Sequence, residues 1–94
     1  MSEQQQTQAP AAVPDPLLVA VKSALNIGGD YQDAALTEYI NEVKAFLHGA
    51  GVSDAQITPG LVTRGVADLW AYGSGDGTLS EYFLQRAIQA ALHS

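Results

Sequence analysis

Two histidines, His48 and His93, are the side chains of this 94-residue sequence best suited to bind a transition metal. Cysteine is absent, which excludes disulfides, thiolate chemistry and cysteine-based zinc sites. A helical zinc site needs a second histidine or a carboxylate three or four residues from the first ligand, and neither histidine has one. Both are predicted to lie in the last turn of a helix, where imidazolium interacts favourably with free carbonyl groups. We therefore expect no metal and no cofactor.

The segment from Asp76 to Ser80 resembles the centre of an EF-hand calcium loop, with an acid, a glycine and an aliphatic residue two positions after the glycine. The ends of such a loop would fall on Tyr72 and Phe83, which cannot supply its terminal carboxylates. Ser80 also lacks the Asp-Ser-Leu setting of the serine that bears the prosthetic group of carrier proteins. No nucleophile has a base nearby in sequence, so the sequence predicts no enzyme.

Charge disfavours nucleic acid and anionic membranes as tight ligands. Ten acids against four bases give a net charge of −6, the wrong sign for binding phosphates by counterion release. The bases are spread one per predicted helix and form no basic patch: Lys22, Lys44, Arg64 and Arg86. Arg64 is expected to pair with Asp68 four residues on. Arg86 has no acid at that spacing, which makes it a candidate interface anchor.

Aromatic side chains are concentrated on both sides of a glycine-rich loop at residues 73–77. Core packing is the first expectation for Trp70 and Phe83. Tyr72 and Tyr82 are predicted to contact a partner, because tyrosine is enriched in interface cores and keeps a polar tip.

Four helices are predicted to position these residues, and together they define an all-α class. Asp15 and Thr58 are N-caps followed by proline, so the first and third helices are expected at residues 16–26 and 59–72. Gly28 and Gly29 are expected to stop the first helix.

The second helix is predicted from a cap at Asp30 to about residue 50, and the fourth from a capping box of Thr78 and Glu81 to Leu92. Gly65, inside the third helix, indicates a close helix approach. The apolar band of the fourth helix is wider than a small core needs, so one side of it is expected to dock elsewhere.

The domain organisation is predicted to be a flexible N-terminal arm at residues 1–14 and a compact helical domain at residues 15–94. The arm is rich in Gln, Ala and Pro, a composition that cannot offset its ordering entropy. No signal peptide and no apolar run of about 18 residues is present, so no membrane association is expected.

Residues 68–75 (DLWAYGSG) and 79–86 (LSEYFLQR) together resemble the carboxy-terminal block of small head-tail connector proteins of tailed bacteriophages. Residues 17–27, followed by Asp30 and Asp33, resemble the opening of that family. The resemblance covers residues 15–92 and is strongest over residues 61–88; its aromatic and glycine block is fairly specific.

That resemblance implies a structural virion protein at the neck, assembled in the host cytoplasm, that forms a ring, a dodecamer, below the portal. It implies contacts with the portal protein and with a tail or stopper protein, and a channel through which DNA passes without specific binding. It assigns the last helix to the portal or a neighbouring subunit. Phe83, Arg86 and Ile88 of this helix join the two tyrosines as candidates, so the candidate partner-binding residues are Tyr72, Tyr82, Phe83, Arg86 and Ile88.

Low charge fits such a subunit: only 15% of the residues are charged, where about 25% is typical, and a ring subunit covers several of its faces. The alternative is an acidic helical adaptor or inhibitor that mimics the charge of DNA. A mimic needs acids in rows, however, and the only close set is Asp30, Asp33, Glu38 and Glu42.

Overall fold

The computed structural model describes residues 15–71 and 77–94, which form four α-helices and no strand. The helices are α1 (Pro16–Leu25), α2 (Asp33–Gly49), α3 (Pro59–Trp70) and α4 (Glu81–Leu92), and a short 3-10 helix (Asp54–Gln56) lies between α2 and α3. The predicted all-α class is confirmed. The predicted arm and most of the glycine-rich loop lie outside the described residues. Within those ranges no helix combines the length and apolarity that a membrane crossing requires.

The two cap-plus-proline signals mark true helix starts. The Asp15 carboxylate accepts a hydrogen bond from the Leu17 amide at 2.9 Å, and the Thr58 hydroxyl accepts one from the Leu61 amide at 3.3 Å. α1 ends earlier than the glycines suggest, because Asn26 already takes the left-handed conformation at φ 59°. Asparagine tolerates that conformation better than most residues, so it serves as the helix stop.

The start of α2 corrects the prediction of a side-chain cap at Asp30. The helix begins at Asp33, and the preceding Gln32 makes no side-chain capping bond. The Asp33 carboxylate instead lies 2.8 Å from the Lys22 ammonium group, which also donates to the carbonyl of Gly29. A tertiary ion pair, together with the favourable position of an acid in the first turn, therefore joins the start of α2 to α1.

The hydrophobic core is centred on α3, which contacts all three other helices. No polar side chain of the described residues is fully buried. The core residues come from every helix and from the loop after α2: Val21, Leu36, Ile40, Val43, Leu47, Val52, Leu61, Val62, Val66, Phe83 and Ala87.

Gly65 lies where α2 and α4 approach α3 closely. A Cβ atom at this position would lie 2.8 Å from both Phe83 Cε1 and Val43 Cγ1, inside van der Waals contact. The predicted close approach is confirmed. The Phe83 ring also packs against Phe46 of α2, with ring centroids 6.0 Å apart, so one aromatic side chain of α4 joins three helices.

Substitution Gly65→Ala should lower the free energy of unfolding by about 1 to 3 kcal/mol, the usual cost of an extra methyl group in a filled core. Gly60→Ala is the matched control, since Gly60 lies in the first turn of the same helix and no atom lies within 4 Å of the position that its methyl group would take. The control should be neutral or stabilising by up to about 1 kcal/mol. Urea unfolding followed by circular dichroism measures both, and equal stabilities of the two variants would refute the packing argument.

Candidate interaction surface

The junction between α3 and α4 is fixed by Ser80 and Asp68. The Ser80 hydroxyl accepts from the Phe83 amide at 3.1 Å, while the Ser80 amide donates to Asp68 Oδ2 at 2.9 Å. Ser80 is therefore the N-cap of α4, which corrects the predicted capping box with Thr78 as its cap. The interpretation of Ser80 as a structural residue at the helix start agrees with this geometry.

Gly77 allows the chain to pass close to α3 just before that cap. Its amide donates to the Leu69 carbonyl at 3.3 Å, and a Cβ atom here would lie 1.9 Å from the Asp68 carbonyl oxygen. Only glycine fits at this distance. The approach holds the start of α4, and with it Tyr82, next to the outer face of α3.

Tyr82 contacts two arginines on this outer face. The guanidinium carbon of Arg64 is 5.0 Å from the centre of the Tyr82 ring and that of Arg86 is 5.8 Å from it. Arg86 also donates to the Tyr82 hydroxyl at 3.1 Å. These distances are within the range of cation-π attraction. We call Arg64, Tyr82 and Arg86 the arginine cluster.

The arginine cluster replaces an ion pair that the sequence predicted. Arg64 and Asp68 form no salt bridge, because the Asp68 carboxylate is directed toward the Ser80 amide. The cluster is solvent-exposed, with Tyr82 53% exposed. Its guanidinium groups can each donate to a carboxylate or phosphate oxygen, so its chemistry is that of anion recognition.

The opposite flank of α4 is apolar. Leu84, Ile88 and Leu92 follow one another at intervals of four residues and are all exposed, Ile88 to 57% and Leu92 to 78%. Ala91 shares this side of the helix and lies 3.9 Å from a Cβ position on Gly51, so the flank faces the end of α2. Phe46 of α2 is also exposed. We call Phe46, Leu84, Ile88 and Leu92 the apolar flank.

The five residues predicted to bind a partner have different environments. Tyr82, Arg86 and Ile88 are exposed, and their partner contacts stay predictions. Phe83 is fully buried and touches Phe46. The expectation of core packing is confirmed for this residue, and its additional assignment to a partner is corrected. Tyr72 lies outside the described residues.

Sequence reasoning did not select four residues that belong to these surfaces: Arg64, Phe46, Leu84 and Leu92. The spacing of four residues between Leu84, Ile88 and Leu92 was visible in the broad apolar band of the fourth helix. No local signal identified Arg64 or Phe46, because each belongs to its surface through a contact with another helix.

The histidines lie at helix ends. His48 Nε2 is 2.6 Å from Asp54 Oδ1, which links the last turn of α2 to the 3-10 helix. His93 is the residue that follows α4. In the part of the chain that the structure describes, no three His, Asp or Glu side chains come together in a way that could hold a metal ion.

Substitution Ser80→Ala should destabilise the domain by about 1 kcal/mol, since it removes the side-chain acceptor of an N-cap. Thr78→Ala is the control, because Thr78 is exposed and precedes the cap without bonding to the helix start. It should change the free energy of unfolding by no more than about 0.5 kcal/mol. Thermal unfolding of the two variants distinguishes them. If Thr78→Ala lowered the stability more than Ser80→Ala, the capping box predicted from the sequence would be the correct N-cap after all.

Comparison with known proteins adds no assignment to these surfaces. The chain matches no family model, no curated protein and no solved structure. The function is therefore inferred from the apolar flank, the arginine cluster and the sequence block that forms the α3–α4 junction.

Proposed function

We propose that this chain is a structural subunit of a tailed-phage virion, a head-tail connector that forms a ring below the portal and offers a docking surface to the tail. The observation that carries the proposal is the apolar flank. α4 buries only Phe83 and Ala87 completely, while Leu84, Ile88 and Leu92 are left in solvent.

The free energy of hydration favours covering this surface. Each square ångström of apolar surface removed from water contributes roughly 25 cal/mol, so a row of three large aliphatic side chains with a nearby phenylalanine favours association. Large contiguous apolar patches are rare on soluble monomeric domains, and where they occur they commonly mark interaction sites. Because the flank runs along nearly the whole of α4, its occupant is expected to be an extended surface such as another helix.

The resemblance points to the same helix. The sequence block LSEYFLQR at residues 79–86 supplies the α4 start and Leu84, the first α4 residue of the apolar flank. In the connector family this part of the chain is implied to contact the portal or a neighbouring subunit. The proposed partners are accordingly further copies of the chain, the portal protein and a tail or stopper protein, with DNA passing through the channel without specific binding.

The charge distribution gives less support to the DNA-mimic alternative. Of the close acidic set, Asp33 is neutralised by Lys22 at 2.8 Å. The remaining exposed pair on α2 is Glu38 and Glu42, one helical turn apart. These two and Asp30, the other exposed member of the set, do not reproduce the long rows of phosphate charge that a mimic requires.

Substitution Ile88→Glu should abolish ring assembly on purified rings of the cognate portal protein while leaving the domain folded, because it places a charge in the middle of the apolar flank. The matched control is Val19→Glu, an apolar residue of α1 that is 49% exposed and lies outside the flank. Electron microscopy and sedimentation velocity of the portal complexes report assembly. If the natural chain never associates with portal, the proposed function is wrong. If the Ile88→Glu variant assembles normally, the apolar flank is not the docking surface.

A further inference from the structure

The arginine cluster concentrates half of the basic residues of an acidic chain at one place. Arg64 and Arg86 belong to different helices, yet both contact the ring of Tyr82, at 5.0 and 5.8 Å. Like charges that approach one another repel, and neither arginine forms an ion pair with a carboxylate of the described residues. Such an arrangement favours an anionic partner that neutralises both groups at once.

The outer face of α2 carries the complementary charge. Glu38 and Glu42 are exposed, whereas Leu36, Ile40 and Val43 of the same helix are buried against the core. Neither glutamate forms an ion pair within the described residues. Of the other described acids, Asp33 pairs with Lys22, Asp54 with His48 and Asp68 with the Ser80 amide. Asp30 and Glu81 are exposed as well, but neither has a second carboxylate one turn away on the same helix face.

The spacing of the two charge pairs is compatible with direct contact. Residues four apart on a helix have Cβ atoms about 6 Å from each other, and the two guanidinium carbons lie 5.0 and 5.8 Å from the centre of one aromatic ring. Long, flexible arginine and glutamate side chains can therefore meet in pairs. No such pair forms within the described part of one molecule, since the face of α2 that carries Val43 packs on α3 at Gly65 and the exposed glutamates lie on the opposite face.

We propose that the arginine cluster of one copy binds Glu38 and Glu42 of a second copy of this chain. The inference rests on the proposed ring, and it names the lateral contact between its subunits. Two different surfaces meet, so the contact is heterologous, and each added copy leaves one free cluster and one free glutamate pair. Such a series of contacts ends only when the last copy meets the first, which is the geometry of a closed ring.

The charges would set the register of this contact more than its strength. Exposed ion pairs contribute little affinity, whereas complementary charges raise the association rate and like charges exclude wrong pairings. In the proposed particle the apolar flank supplies affinity at a different contact, on the other side of α4. We therefore expect salt to weaken early association through screening and charge reversal to be more damaging than charge removal.

The test uses three variants of the full chain, assembled on purified portal rings and measured by sedimentation velocity in about 50 and 500 mM NaCl. R64E/R86E and E38R/E42R should each weaken ring assembly at least about tenfold at the lower salt concentration. The reason is that each variant replaces attraction between opposite charges by repulsion between like charges at the contact. The fourfold variant R64E/R86E/E38R/E42R restores opposite signs in the contact and has the net charge of the natural chain, so it should assemble again.

Asp30→Arg is the control, since Asp30 is exposed and belongs to neither surface; it should assemble normally. Circular dichroism checks that every variant is folded. If the natural chain and both doubly reversed variants assemble equally well, the lateral contact is overturned and the connector function stands. If the reversed variants fail and the fourfold variant also fails, the specific pairing is likewise overturned. If the natural chain itself does not assemble on portal, the proposed function fails first.

Discussion

The close contact at Gly65 is the constraint on which the rest of the structure depends. Val43 from α2 and Phe83 from α4 meet over a position of α3 that has no side chain. Any larger residue would separate the three helices, and a domain with so few core residues has little other packing with which to compensate. The orientation of α4, and therefore of both of its exposed flanks, follows from this single contact together with the Asp68–Ser80 hydrogen bond.

With Phe83 directed inward, the helical period fixes what α4 presents to solvent. Tyr82 and Arg86 lie on one side of the buried residue, beside Arg64, and Leu84 and Ile88 lie on the other. One helix thus carries a polar aromatic surface and an apolar surface, separated by its contact with α3. The two surfaces are suited to different tasks, since apolar area provides affinity while charge provides register and selectivity.

The sequence predicted those parts of the fold that depend on neighbouring residues. Asp15–Pro16 and Thr58–Pro59 form caps with their own helices, and Gly65 was recognisable because glycine is costly inside a helix. The errors lie where residues distant in sequence come into contact. Asp68 accepts a hydrogen bond from the Ser80 amide at the start of α4, so it does not pair with Arg64. Arg64 contacts the Tyr82 ring instead. Phe83 was expected in the core and was also assigned to a partner. Its ring fills the space over Gly65, so only the core expectation is right, and no local spacing encodes this contact.

The few charged side chains of the chain are grouped on particular surfaces. Of its four basic residues, Lys22 joins two helices of the same molecule, while Arg64 and Arg86 gather around one exposed ring. A domain that needed charge only for solubility would intersperse both signs over its surface. Here the exposed cationic pair and the exposed aliphatic side chains of α4 lie on different sides of that helix, and the exposed glutamates lie on α2. Separation of this kind is what a subunit requires when each face meets a different neighbour.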